Sequence, residues 1–297
     1  MARQTRPLDE IFVVARADDA ATHDLLRSAL APVRAVEVTE AGLLAAMQAG
    51  LAATAGDVIA FTDDDAVARP DWAQRLEDHF ADPSVGAVGG RDLIAAETDG
   101  ETADVGRITP WGKLVGNQHL AVGPARPVEV LKGVNMAFRR AALALPQGLR
   151  GRGSQTHSEI SMCAWARSHG WRVVFDPALV VDHAPAPRLA GDRRERRARD
   201  VRDGSYNLVF GIVSSYPELA LRRAAYGLLA GDRLTPGLAR TAVAVARRER
   251  DVVRIAPAAL LGQVAALTAL ARGRRQRMVP AADASAVTPG DRPRSPA

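Results

Sequence analysis

The sequence predicts an α/β domain on a mixed, mostly parallel sheet flanked by helices, followed by a helical C-terminal extension. Three observations predict it. Apolar runs of strand length alternate with helix-like stretches over the first half of the chain, the pattern of strands joined by crossover helices. From about Arg188 the chain reads as helical and arginine-rich. With 297 residues and 47% hydrophobic content, it can bury a sizeable core, as one large domain or one plus an appendage.

The elements follow in order. "EIFVV" (10–14) is a strand, then "DAATHDLLRSAL" from Asp19 a helix, "VRAVEV" (33–38) a short strand and "EAGLLAAMQAGLAAT" (40–54) a helix. "DVIAFT" (57–62) is a buried strand, "PDWAQRLEDHF" a helix and "VGAVGG" (85–90) a strand. Such strands suit a sheet covered on both faces. Residues 93–127 are irregular, rich in Gly, Pro and polar residues. "VEVLKG" and "VNMAFRR" read as two strands, "SEISMCAWARSHG" (158–170) as a helix stopped by Gly170, and "WRVVFDPALVVDH" as one or two strands. The division expected is 1–187 for the α/β domain, 188–278 for a basic helical region and 279–297 for a disordered tail.

Composition narrows the partners. The formal charge of +5 is almost entirely arginine, since only Lys113 and Lys132 are lysines, and the acidic residues lie mainly in the first half. A basic second half suits an anionic membrane surface or a phosphorylated ligand. The single cysteine, Cys163, excludes an internal disulfide and fits a reducing, cytoplasmic compartment; lacking any base partner in sequence, it reads as packing. "MARQTRPLDE" has no apolar secretory core. The best membrane-span candidate, Ile255 to Ala271, is short of the roughly 20 apolar residues a span needs and contains Pro257 and Gln263.

The chemistry concentrates in "GDVIAFTDDDAVARPDW" (56–72). Three adjacent carboxylates, Asp63, Asp64 and Asp65, end a buried strand, where α/β sheets place their ligands. They repel one another unless a cation neutralises them, and hard oxygen donors favour Mg²⁺ or Mn²⁺, whose remaining positions are filled by phosphate oxygens. Taken alone, the cluster reads equally as an acidic turn at the start of the next helix.

The surrounding phrases decide between these. The strand-DxD segment, "VGAVGGRD", "LKGVNMAFRRAAL" and "HSEISMCAWARSHGWRVVFDPALVVDH" together resemble, in order, the family 2 glycosyltransferases with the GT-A fold. The resemblance covers residues 9 to 187. It implies an inverting transferase that moves a sugar from a nucleotide-diphosphate sugar donor to a glycan or lipid-linked acceptor. Asp63 and Asp65 would be the DxD pair on Mn²⁺ or Mg²⁺, His183 a further contact to metal or diphosphate, and Glu159 the general base. The family's Glu-Asp pair is here Ser158-Glu159, and the competing reading of Glu159 is a helix N-terminal charge. Asp18 and Asp19 fall where the family reads the base, although "ARADDAA" replaces its "D-x-G-S". Asp64 and Asp92 would face the donor. Trp111, Lys132 and Asn135 would line the acceptor side, each against a plain packing or surface role. His157 is two residues from Glu159, and on a helix such a pair does not share a face.

The family pattern opens with a strand and helix that precede a phrase like "RQTRPLDEIFVV"; their absence here suggests an internal start or a truncated sequence, and would leave strand edges unpaired. The basic run "APRLAGDRRERRARDVRDG" and Arg222, Arg223, Arg247, Arg248 and Arg250 read as a solvated face or as a peripheral patch for anionic membrane, which would suit cell-envelope glycans. Three other classes stay in view. A non-catalytic nucleotide- or glycan-binding relative would bind without turnover. Nucleic-acid binding lacks the interleaved aromatics of single-strand binders. A nucleotidyltransferase lacks a Gly-rich phosphate loop.

Overall fold

The computed structural model describes residues 3–28, 33–94, 100–151, 155–184 and 193–282, with the backbone alone for 193–197. The chain runs β1 (Phe12–Arg16), α1 (Ala20–Arg27), β2 (Arg34–Val38), α2 (Leu43–Ala53), β3 (Val58–Thr62), β4 (Ala66–Ala68), α3 (Trp72–Phe80) and β5 (Val85–Ile94). Then come the short pair β6 (Arg107–Ile108) and β7 (Leu114–Val115), β8 (Arg126–Pro127), β9 (Asn135–Arg139), β10 (Ala144–Pro146), α4 (Ser158–Ser168) and β11 (Arg172–His183). The C-terminal part holds α5 (Arg193–Ser215), α6 (Ala220–Ala225), α7 (Leu238–Ala246), α8 (Arg250–Ala271) and β12 (Met278–Pro280).

The central sheet is mixed, in the order β3-β9-β5-β11-β4, with β8 also on β11. Its three main strands, β3, β5 and β11, run the same way. β9 lies antiparallel between β3 and β5, so the parallel share is smaller than strand–helix alternation suggests. "VEVLKG" does not form the expected strand; residues 128–133 are irregular after the two-residue β8. "WRVVFDPALVVDH" forms one long strand, with a bulge between Asp176 and Val180 where it pairs with β5. Gly90 sits opposite that bulge, and a Cβ there would lie 1.8 Å from the Leu179 carbonyl oxygen, so only glycine admits the close approach. β1 and β2 form a separate parallel pair. Among the described residues, β1 and β3 are each paired along one edge only.

Two apolar layers cover the sheet. One, with Leu51, Phe138, Met162 and Phe175, packs under α2 and α4; the other, with Trp72, Leu76, Val88 and Val181, packs under α3. Cys163 is buried in the first layer, where burial pushes its thiol up to about 12, in line with packing.

The C-terminal helices are bound into this body. α5 and α8 approach backbone to backbone at Gly262, where a Cβ would lie 2.1 Å from the Arg202 carbonyl oxygen. Asn207 of α5 accepts from Arg150 N at 2.7 Å and donates to the Arg150 and Thr156 carbonyls at 2.9 and 3.2 Å. α8 is a 22-residue helix, longer than the expected 255–271 stretch, and is long and apolar enough to cross a membrane by length and composition. One of its faces, with Val252, Ala256, Ala259 and Ala266, is buried against the protein. The tail expected from 279 is structured at its start: β12 pairs antiparallel with β10, and Ala281 is fully buried and donates to the Leu143 carbonyl at 2.8 Å. Residues 283–297 lie outside the described residues, as do 185–192 and the side chains of 193–197, which carry most of the basic run.

Candidate active site

β3 ends at Thr62 and delivers Asp63–Asp65 into the turn before β4. That turn is fixed from both sides: Ala66 N donates to the Asp63 carbonyl at 3.3 Å, and Ala184 N to the Asp65 carbonyl at 2.9 Å. The second bond ties the turn to the end of β11, which carries His183. Asp63, Asp65 and His183 therefore each place a ligand atom within 4.8 Å of the others, and His183 Nε2 lies 3.2 Å from Asp65 Oδ1.

Behind this group lies Asp92, at the β5 end, with no exposed surface. One carboxylate oxygen is paired with the Lys132 ammonium and stands 3.6 Å from His183 Nδ1. The other, Oδ1, is buried without a hydrogen-bond partner, as is His183 Nδ1. Asp63 is exposed as a residue, but protein around its carboxyl raises its pKa through burial first and then through Asp65, with His183 and Lys132 opposing and Asp64 adding to the rise. A cation would reverse those repulsions. Two carboxylates and an imidazole, with orphaned polar atoms just behind, fit Mn²⁺ or Mg²⁺ chemically.

Glu159 opens α4, and His157 precedes it in a left-handed conformation (φ 73°). Because His157 stands before the helix rather than on it, the expectation that the pair cannot meet fails: His157 Nδ1 lies 4.0 Å from Glu159 Oε1. Their side chains keep 26% and 18% of their surface, yet protein crowds both. Burial pushes Glu159 up to about 7 against the pull of its own backbone N–H and of Lys132. Burial, then the charge of Arg223, holds His157 down at about 4.

The other expected residues divide. Lys132 pairs with Asp92, and its charge reaches both Asp63 and Glu159. Asp92 is buried behind the cation group rather than facing open space as a donor contact. Asn135 is a correction: it is fully buried, both amide hydrogens go to the Arg91 and Leu179 carbonyls at 2.9 Å, and its oxygen accepts from Trp72 Nε1 at 2.9 Å. That side chain knits β5, β11 and α3 together and presents nothing to an acceptor. Asp19 caps α1, accepting from Thr22 N at 3.1 Å, and Asp18 pairs with Arg16 at 3.1 Å; both follow β1, and their pairings are local. Asp64 is exposed. Trp111, 59% exposed, stands at the tip of the β6–β7 hairpin.

Sequence reasoning missed that His157 meets Glu159 and that the charge of Arg223 reaches His157. His157 carried a signal, its place just before a helix that starts Ser-Glu; Arg223 was hidden among other arginines.

A family model described as "Glycosyltransferase like family 2" matches residues 1–202. Two relatives, each a "Pre-mycofactocin glycosyltransferase" from Mycobacterium tuberculosis strains CDC 1551 / Oshkosh and ATCC 25618 / H37Rv, are 28% identical over 144 residues, 48% of this chain. The matched part covers 30% of the length of those relatives. Among solved structures, the mannosyltransferase PcManGT from Pyrobaculum calidifontis, in complex with GDP-Man and Mn²⁺, matches with a TM-score of 0.50 and 20% identity, over 90% of this chain and 80% of that one. At that identity the likeness bears on the fold, which is GT-A. With well over half of its length inside the family model, and the DxD turn, the His183 strand end and Glu159 all within the matched residues, the chain belongs to glycosyltransferase family 2.

Proposed function

We propose that the protein transfers a glycosyl group from a nucleotide-diphosphate sugar to an acceptor hydroxyl with inversion at the anomeric carbon. The observation that carries this reading is the convergence of Asp63, Asp65 and His183 within 4.8 Å at one end of β3 and β11. These three would hold Mn²⁺ or Mg²⁺, which when bound supplies positive charge to the leaving diphosphate. Glu159 takes the acceptor's hydroxyl proton, the oxygen attacks the anomeric carbon, and the bond to the diphosphate breaks on the opposite face. A carboxyl held near 7 is matched to proton abstraction at neutral pH. Lys132, joined to Asp92, keeps a positive charge within reach of both Asp63 and Glu159. The relatives' names and the bound GDP-Man and Mn²⁺ of PcManGT support the reaction class.

The acceptor reading is a lipid-linked or membrane-borne glycan. What supports it is the C-terminal surface, where Leu221, Leu229, Leu234 and Leu238 are 59–86% exposed among exposed Arg222, Arg233, Arg247 and Arg250.

The test is calorimetric titration of UDP, GDP and dTDP with and without Mn²⁺, on wild type, Asp65→Ala and Glu159→Gln. We expect one nucleotide to bind in a Mn²⁺-dependent way, Asp65→Ala to weaken it at least tenfold, and Glu159→Gln to bind it while losing donor turnover. Binding without turnover in wild type would favour a non-catalytic relative. Nucleotide binding indifferent to both Mn²⁺ and Asp65→Ala would overturn the site assignment.

A further inference from the structure

Arg223, on α6, is 1% exposed. A guanidinium keeps its charge at any physiological pH, so burying one calls for an anion. Among the described residues nothing hydrogen-bonds its Nε or Nη2. Those two N–H groups share one edge of the guanidinium fork, the edge that grips a phosphate or carboxylate with two parallel bonds. The carboxylate acting on it most strongly is Asp232. Asp232 makes no ion pair with Arg223 among the described residues, and its Oδ1 closes its own turn, accepting from Leu234 N at 2.9 Å and Thr235 N at 2.8 Å.

Its guanidinium carbon lies 5.6 Å from the Tyr226 ring centroid, and a second group without a hydrogen-bond partner stands beside it. Gln263 of α8 is 1% exposed, and neither its amide nitrogen nor its oxygen is hydrogen-bonded. Gly227 lets the two side chains come together: a Cβ there would lie 2.1 Å from Gln263 Oε1 and 3.4 Å from Arg223 Nη1. Gly227 belongs to a π-helical turn, Tyr226–Ala230, a local widening that recurs at functional sites. On the other side the β6–β7 hairpin presses on the Arg223 stem, with Gly112 (φ 68°) placed so that a Cβ would meet Arg223 Cβ at 2.9 Å, next to the exposed Trp111. The charge of Arg223 also reaches His157, 4.0 Å from Glu159.

The geometry points to Arg223 and Gln263 as the receptor for a phosphate group on the acceptor, seated between α6, α8 and the Trp111 hairpin so that a hydroxyl of the same molecule reaches Glu159. This deepens the transferase reading and rests on it. The edge of the guanidinium and the amide NH₂ supply donors from two helices, which suits a tetrahedral oxyanion with several acceptor oxygens, and the exposed Arg222 and Arg233 favour its approach.

The test is thermal unfolding of the full chain in EDTA, with inorganic phosphate titrated at constant ionic strength. Wild type should be stabilised saturably, as expected of a ligand that binds only the folded state. Arg223→Met should unfold no lower than wild type without phosphate and bind it about tenfold or more weakly, with Arg223→Lys between the two. Flotation with phosphatidylcholine vesicles, with and without phosphatidic acid, identifies the source. Loss of phosphatidate capture in Arg223→Met assigns a lipid phosphate, whereas loss of the phosphate response alone assigns a soluble phosphorylated acceptor. If Arg223→Met and Asp232→Asn both lower the unfolding temperature and phosphate stabilises neither them nor wild type, Asp232 is the internal counter-ion and the proposal is wrong. Mn²⁺-dependent nucleotide binding by wild type separates the two readings. Its absence beside an Arg223-dependent phosphate response would sink the transferase and leave an anion site, while its presence without that response would sink only the phosphate receptor.

Discussion

Replacing Glu159 with glutamine should make the protein more stable at alkaline pH while removing turnover. The carboxyl is pushed from 4.5 to about 7, by burial above all. Its folded-state pKa exceeds its unfolded value, so the stabilisation it gives is complete below 4.5 and is lost as pH rises through 7. The gap corresponds to about 3 kcal/mol. His157 acts in the opposite sense. Held at about 4 against an ordinary 6.5, it contributes stability present above 6.5 and lost as pH falls toward 4. In wild type the two slopes oppose one another between 4.5 and 6.5. Glu159→Gln removes one and leaves the other, so variant stability should climb with pH to about 6.5 and then level off, while wild type declines through 7. Urea denaturation in EDTA at a series of values from about pH 5 to about pH 8 reads this directly. The variant's advantage should grow by about 3 kcal/mol across that range. A stability difference that does not change with pH would refute the buried-acid account, and with it the matching of Glu159 to base catalysis. Turnover by wild type should rise with pH through about 7.

Two further outcomes follow from the same geometry. Asn135→Ala strands the Trp72 indole N–H and the Arg91 and Leu179 carbonyls in a fully buried place, so it should lose roughly 3–5 kcal/mol in chemical denaturation; unchanged stability with selective loss of transfer would restore the acceptor role. Flotation with anionic vesicles should show salt-sensitive binding, and Arg222→Ala with Arg233→Ala should weaken it by about 1 kcal/mol per residue. Binding indifferent to salt would remove the membrane surface from the account.

The sequence made some of this legible because the signals were local. An apolar run that stops at three aspartates marks a strand end, and the phrase ending in His183 marks another; the turn bond from Ala184 to the Asp65 carbonyl then brings them together. What it concealed depends on register and depth. "VEVLKG" has the composition of a strand, yet residues 128–133 connect two sheet strands, and Leu131 is buried as a core contact there. Asn135 matches an acceptor-side motif in one dimension, but it starts β9 between β3 and β5, where its amide is enclosed. Asp19 sits where the motif places a base reader, and its role as the cap of α1 is not visible in that motif. Arg223 looks like one more surface arginine, because nothing in its neighbours tells that it alone of the pair Arg222–Arg223 turns inward.

The C-terminal helices change meaning once their contacts are known. An appended basic region would leave the segment before Glu159 to settle itself, and Gln155 and His157 there both carry positive φ (38° and 73°), a costly backbone for side chains of that size. Asn207 of α5 grips the Arg150 amide and carbonyl and the Thr156 carbonyl, and Gln155 Oε1 accepts from Leu44 N at 2.9 Å. These bonds offset the strain and fix where the helix carrying Glu159 begins. Ser161 is in turn bonded to Gln276, beyond α8. α8, which packs on the α5 that fixes the start of α4, also carries Gln263, which meets Arg223 at Gly227, so the position of Glu159 and that of the proposed phosphate receptor both depend on one packing arrangement. A change at the α5–α8 contact, such as a side chain at Gly262, would therefore disturb Glu159 without touching the cation group.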